Sequence, residues 1–262
     1  MKARSSAETA GGIEPAPDVC SRESIAGNLE LIRKRIAEAE ADTRSRWGER
    51  DIRIVAATKN VPLPLIEYAV GECGLREAGE NRVQELCAKY PVPGEESSAS
   101  KNLPALHFIG TLQSNKVRQI INRVCMIQSL DRMSLAKEIG RRAEQHSLVM
   151  PCLIELNVGC EPNKGGVLPG DAEDFAEAVH GMPGIAIAGV MTMAPLVKGE
   201  EYREYFTRAR EIFESLMGYY RPEEPPVLSM GMSGSYAVAV ECGATMVRPG
   251  SAIFGARQIR QI

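Results

Sequence analysis

From Ile52 to Arg248 short apolar runs alternate with helix-length stretches, eight strands in all, and this rhythm limits the possible folds more than any other feature. The runs are IRIVAAT (Ile52–Thr58), Arg76–Glu80, LHFIG (Leu106–Gly110), MIQSLD (Met126–Asp131), CLIELNV (Cys152–Val158), IAIAGVMTM (Ile185–Met193), Val227–Met232 and Thr245–Arg248. Near-continuous β-branched and apolar runs suit strands covered on both faces. Helical stretches stand between them: one opened by Pro62 and Pro64 in its first turn, then Asn81–Tyr90, Asn115–Val124, Arg132–His146, Asp171–His180 and Glu201–Tyr220. Alternation with no strand-only region predicts an α/β fold, a single (β/α)8 TIM barrel. An open doubly wound sheet is the alternative. It would more usually show G-x-G-x-x-G after its first strand, and that motif is not there. Ahead of the first strand, Ile25, Leu29, Ile32 and Ile36 recur at helical spacing within Ser24–Ser45. This predicts an extra N-terminal helix, placed to cap the bottom of the barrel.

Two segments fall outside the rhythm. Residues 1–20 lack the apolar core of a signal peptide and read as a disordered tail, ahead of a barrel over 21–262. Pro91–Ala105, rich in Pro, Ser and Glu, reads as a mobile loop from a helix to the next strand, hence on the face opposite an active site. Thirty-one basic against 34 acidic residues give a net charge of −3. That is no electrostatic footprint for nucleic acid. No apolar run reaches membrane-spanning length. Seven cysteines, an odd number with no C-x-x-C pair, suit a reduced, cytoplasmic protein. The three histidines are too far apart for metal-ligand spacing, so no metal is expected.

Barrel enzymes place their chemistry at the carboxyl ends of the strands. The last two strands each end in a small polar turn, Ser233-Gly234-Ser235 and Gly250-Ser251. Such turns aim backbone N–H groups and hydroxyls at one point, and helix starts behind them add positive dipole ends. Glycine also serves plain tight βα turns, but two on consecutive strands match the phosphate site that barrels often build there. At the end of the first strand stands Lys59. A lysine closing an apolar strand either snorkels to solvent or lies near a desolvated centre, where burial lowers its pKa. In the second case it supplies the free amine that attacks an aldehyde to form a Schiff base. Strands one and eight are neighbours in a closed barrel, so Lys59 and Arg248 reach the same ligand. An aldehyde-bearing phosphate ester meets both demands, and pyridoxal 5′-phosphate (PLP) is one. A Schiff-base aldolase acting on a phosphosugar is the other reading of the same residues.

From Ser24 to Arg257 the chain resembles the pyridoxal-phosphate homeostasis proteins (the YggS/PROSC type), relatives of the amino-terminal barrel of alanine racemase. IRIVAATK, REAGENRVQE, LHFIGTLQSNK, IQSLDR, LIELNVG with NKGGV, AGVMTMAP, LSMGMS and MVRPGSAIFGAR carry the resemblance. It implies PLP as cofactor, with Lys59 forming the Schiff base, Asn81 beside the cofactor, Ser233, Gly250 and Ser251 on the phosphate, and Arg248 at the pyridine nitrogen. Asn81 is equally placed to cap a helix, and Arg248 to pair a buried carboxylate. Lys164, in NKGGV, matches a second lysine of the family, although a solvated loop lysine is the plainer reading. Gly234-Ser235 stands where the family usually has an acidic pair, and Pro249 removes one backbone N–H from the last turn. The resemblance further implies a monomeric, non-catalytic protein of intracellular PLP homeostasis, with PLP-dependent apoenzymes as recipients. The competing function is an amino-acid racemase, which needs acid/base groups on both faces of its substrate. In the relatives the second such group comes from an additional β domain, which is not expected in a chain ending at Ile262.

Overall fold

In the computed structural model, residues 21–92, 103–221 and 224–255 are described. The expected tail, 1–20, and most of the expected loop lie outside them. Eight parallel strands close into a barrel in chain order: β1 (Arg53–Ala57), β2 (Glu77–Glu80), β3 (Ala105–Phe108), β4 (Met126–Leu130), β5 (Met150–Leu156), β6 (Ile185–Thr192), β7 (Val227–Ser229) and β8 (Met246–Val247). Pairing of Ile54 with Val247 closes the ring between β1 and β8. The helices are α1 (Arg22–Trp47), α2 (Leu63–Gly71), α3 (Val83–Lys89), α4 (Val117–Ile120), α5 (Met133–Gln145), α6 (Ala172–Val179), α7 (Tyr202–Ser215), α8 (Tyr236–Glu241) and α9 (Ser251–Phe254). The (β/α)8 TIM barrel with an extra N-terminal helix is thus the observed fold.

Two buried sets of side chains follow from the two faces of each strand. Outward-facing residues such as Ala56, Ala78, Ile127 and Ile154 pack beneath the helices. Inside the ring, Val55, Met126, Leu153, Ala188, Met191, Val227 and Met246 form a separate cluster, as the alternation of strand side chains requires. Polar side chains share that interior: His107, Gln128 and Ser229 are buried there. Gly189 permits the β6 bulge, because its φ is 143° and a Cβ would stand 2.0 Å from the Val227 carbonyl oxygen.

The N-terminal helix lies elsewhere than expected. Rather than capping the bottom of the barrel, α1 packs along the outer wall against α2, α8 and α9. The reason is a gap: α9 is a single turn of four residues, too short to cover the seam between β8 and β1. At 26 residues α1 spans about 39 Å and fills that position. It starts from a Ser21–Ser24 capping box and buries Ile25, Leu29, Ile32 and Ile36. Asn28 donates to the Ile253 carbonyl at one end and Trp47 to the Glu241 carbonyl at the other.

Candidate functional site

Parity along the strands settles what faces the interior. On β1, Arg53 bonds across to Glu77 and Val55 belongs to the inner cluster. Lys59 stands two residues past the end of β1, where it is half-buried. It occupies a turn closed by the Val61 N–H on the Thr58 carbonyl at 2.9 Å. Asn60 takes a φ of 63° in that turn, a conformation asparagine tolerates better than most residues. On β8, Met246 faces inward and so does Arg248, two residues on and 3% exposed.

The two polar turns meet. The Ser233 hydroxyl, after β7, accepts from the N–H groups of Gly250 and Ala252, after β8, at 3.0 Å each. The second turn is in turn held to β1, where the Ala57 N–H donates to the Pro249 carbonyl at 2.9 Å. A Cβ on Gly250 would sit 3.1 Å from the Ala57 carbonyl oxygen and 3.2 Å from its Cβ. Glycine thus lets the turn close against the strand that leads to Lys59. Ser233, Gly250 and Ser251 are gathered at one end of the barrel with Lys59 on the neighbouring strand. Ser251 opens α9 and is exposed.

Arg248 carries a buried charge. Its guanidinium donates to Ser229 Oγ at 2.5 Å and to the Thr192 carbonyl at 2.8 Å. Burial lowers its pKa to about 10, with Glu155 opposing, so it stays protonated at neutral pH. Glu155 acts on it electrostatically, and no ion pair of Arg248 is formed among the described residues. The alternative of a direct buried pair therefore does not describe this arginine.

Asn81 follows β2 on the same side as Gly79, whose missing Cβ would strike Ile109 and Val55 of the interior. Helix α3 begins at Val83 with Arg82 in the capping position and no side-chain cap, so Asn81 is not its cap. Glu80, its neighbour, turns away from the site. It accepts from Thr58 Oγ1 at 2.8 Å and pairs with Lys89 at 2.9 Å, tying α3 to the end of β1. Lys164 pairs with Glu161 at 2.5 Å on a loop that Asn157 holds through its amide.

Glu155 was not recognisable as a site residue from sequence. It is the next-to-last residue of β5 and only 5% exposed. Burial pushes its carboxyl up to about 7, Asp131 adds to this, and Arg248 and Arg132 oppose it. The only available sign was an acidic residue inside an apolar strand, LIEL, at inward parity with Leu153. Because its pKa rises from 4.5 on folding, the fold favours the neutral form. That stability is fully present below about pH 4.5 and is lost as pH rises through 7. Glu155→Gln should therefore flatten the decline, with a gain on the order of 2 kcal/mol at pH 8. Urea unfolding at pH 5 and pH 8 measures it; equal gains at both would place the carboxylate in solvent.

A groove of about 610 Å³ lies at the opposite mouth, between α1 and the starts of β1 and β2. Arg33, Arg50 and Arg53 on its wall are bound to carbonyls or to Glu77. None of the turn residues lines it, and the chemistry described above belongs to the other end.

A parallel barrel with a strand-end lysine, a buried arginine and two converging turns defines a protein of the alanine racemase N-terminal-domain type; residues 24–258 match that family, "Alanine racemase, N-terminal domain". The chain is 40% identical over 238 residues to a pyridoxal phosphate homeostasis protein of Aquifex aeolicus, covering 90% of this chain and 98% of that one. It therefore belongs to the pyridoxal phosphate homeostasis protein family. Among solved structures, an unknown protein from Bifidobacterium adolescentis superposes with a TM-score of 0.77 at 31% identity, over 92% of this chain and 98% of that chain. PipY of Synechococcus elongatus PCC7942, solved with PLP bound, gives 0.68 at 31% identity, over 84% of this chain and all of that one. No helix among the described residues is long and apolar enough to cross a membrane.

Proposed function

We propose that this chain binds pyridoxal 5′-phosphate as a Schiff base on Lys59 and serves intracellular PLP homeostasis, holding the cofactor and releasing it to PLP-dependent apoenzymes. The observation that carries this is the meeting of the two turns, where Ser233 Oγ rests on the N–H groups of Gly250 and Ala252 beside the strand that ends at Lys59. The donor set fits the ligand. Backbone N–H groups and the Ser233 and Ser251 hydroxyls suit a phosphate dianion, an amine suits an aldehyde, and Arg248 supplies a buried cation on the neighbouring strand. Bound PLP supplies an electrophilic aldehyde and an electron-withdrawing ring. The chain's own residues hold the phosphate, orient the ring and keep the aldehyde on one lysine. The PLP seen in the PipY structure supports the same assignment here. An absorbance band that appears on adding PLP, survives dialysis and shifts on borohydride reduction is the expected result; no band after PLP addition would refute binding.

A protein that holds PLP without turning over amino acids is the reading proposed, and Arg248 lowers the expected racemase rate without deciding it, since alanine racemase tolerates such an arginine. A guanidinium beside a pyridine nitrogen opposes protonation there on electrostatic grounds, which makes the ring a poorer sink for electrons. The PLP-loaded protein incubated with L-alanine in D₂O should yield little or no D-alanine, with at most slow α-proton exchange by NMR. Steady D-alanine production, lost in Lys59→Ala, would establish a racemase instead.

A further inference from the structure

Inside the barrel a chain of polar side chains leads from Arg248 toward the opposite mouth. Arg248 donates to Ser229 Oγ at 2.5 Å, and the Ser229 hydroxyl donates to Gln128 Oε1 at 2.8 Å. The Gln128 Nε2 lies 3.0 Å from His107 Nδ1. The His107 Nε2 then faces Glu77 Oε2 at 3.6 Å, and Arg53 holds the other Glu77 oxygen with two N–H groups at 2.7 and 2.9 Å. Ser229, Gln128 and His107 are at most 1% exposed, so water is not a ready substitute for any link.

The proton positions follow from one end. A guanidinium only donates, so Ser229 Oγ accepts from it and must point its own hydrogen elsewhere. Gln128 Oε1 takes that hydrogen, which turns the amide nitrogen toward His107 and makes Nδ1 the acceptor. The His107 proton therefore sits on Nε2, aimed at the Glu77 carboxylate. The second Gln128 N–H reaches the sulfur of Met246 at 3.1 Å. Burial, with Arg53 adding to it, holds the His107 pKa down to about 3, so the ring is neutral at physiological pH. From Arg248 through Ser229 and Gln128 to His107, each link of the chain donates in the same direction, from a buried cation toward a carboxylate. The step from His107 to Glu77 is longer than a hydrogen bond, and both facing atoms are buried with no other partner.

We propose that Ser229 and Gln128 are positioning residues for Arg248, setting its angle toward the cofactor ring, and that His107 and Glu77 anchor them. The proposal rests on the PLP reading above. Without the chain, Arg248 keeps only the Thr192 carbonyl, and a long side chain with one fixed contact does not hold its plane. Ser229→Ala removes the link that touches Arg248. Gln128→Leu removes the link behind it, and Gln128→Glu keeps an acceptor for Ser229 while ending donation to His107.

Two sets of measurements decide it. In the apo-protein, ¹⁵N NMR should show His107 neutral and protonated on Nε2, and Arg248 side-chain N–H groups protected from exchange. That protection should fall at least tenfold in Ser229→Ala and Gln128→Leu, and by a smaller factor in Gln128→Glu, which keeps the link to Ser229 but loses the one to His107. In the PLP-loaded protein, the first two variants should weaken PLP about tenfold and move the absorbance maximum, while their circular dichroism stays that of the wild type. Should Gln128→Leu fail to fold, the milder Ser229→Ala carries the test. A His107 proton on Nδ1, or Arg248 exchange unchanged in both Ser229→Ala and Gln128→Leu, overturns the chain. Unchanged PLP affinity and spectrum with loosened Arg248 overturns its role at the cofactor. A wild-type protein that takes up no PLP refutes the functional reading and the cofactor role with it, and the apo measurements still judge the chain.

Discussion

Lys59→Ala should abolish borohydride-stable attachment of PLP, and peptide mapping of the reduced wild-type protein should find the phosphopyridoxyl mass on Lys59 alone. The expectation comes from backbone geometry before any chemistry. Val55 faces the barrel interior, and Lys59 stands two residues past the end of the same strand. The Thr58–Val61 turn ends the extended chain there, with Asn60 at positive φ. β1 lies hydrogen-bonded between β2 and β8, so Lys59 follows a strand flanked by those that lead to Asn81 and to the Gly250 turn. Other lysines lack this combination. Lys89 is committed to Glu80 and Glu85, and Lys164 pairs with Glu161 on a loop. A phosphopyridoxyl mass on another lysine, or a reducible band that persists in Lys59→Ala, would remove Lys59 from its role.

The sequence made the barrel legible because its signal is repeated: eight apolar runs at similar spacing leave few other topologies. Boundaries were less legible where backbone hydrogen bonding, not hydropathy, ends an element. Val227–Met232 looks uniform, yet β7 stops at Ser229, and Gly231 turns the chain at a φ of 88°. Asn115–Val124 looks like a full helix, yet α4 is one turn behind a 3-10 segment. The placement of α1 depended on the length of α9, which a seam of Ser, Ala, Ile and Phe does not reveal. For the site, the glycine and serine turns were readable, since they announce their chemistry locally. Gln128, His107 and Ser229 were not: each is an isolated polar residue on a different strand, and only closure of the ring brings them into line. Glu155 was hidden for the same reason, its partners being Asp131 and Arg248, just past β4 and β8, rather than any sequence neighbour.

Pyridoxal lacking its phosphate should bind at least about a hundredfold more weakly than PLP. Two turns from consecutive strands converge where the phosphate would sit, and charge-assisted hydrogen bonds of this kind are worth roughly 1.5–3 kcal/mol each. Two of them correspond to about a hundredfold or more in affinity. The structure also shows what opposes binding. Ser233 Oγ already occupies the N–H groups of Gly250 and Ala252 at 3.0 Å, so a phosphate oxygen must displace it. A hydroxyl accepts but also donates. Once displaced it can turn and give its hydrogen to the phosphate, so the exchange replaces a neutral acceptor with an anionic one and gains a further donor. Pro249 contributes no N–H to this turn, but its carbonyl fixes the turn to Ala57. Gly250→Ala should narrow the preference for the phosphorylated form, because its Cβ would meet Ala57 at 3.1 and 3.2 Å and the turn must move by a few tenths of an ångström. Ser233→Ala should narrow it as well, by losing the donated hydrogen. Fluorescence titration of both vitamers into wild type and the two variants measures all three differences. Equal affinity of the wild type for pyridoxal and PLP would show that the turns hold each other and not a phosphate.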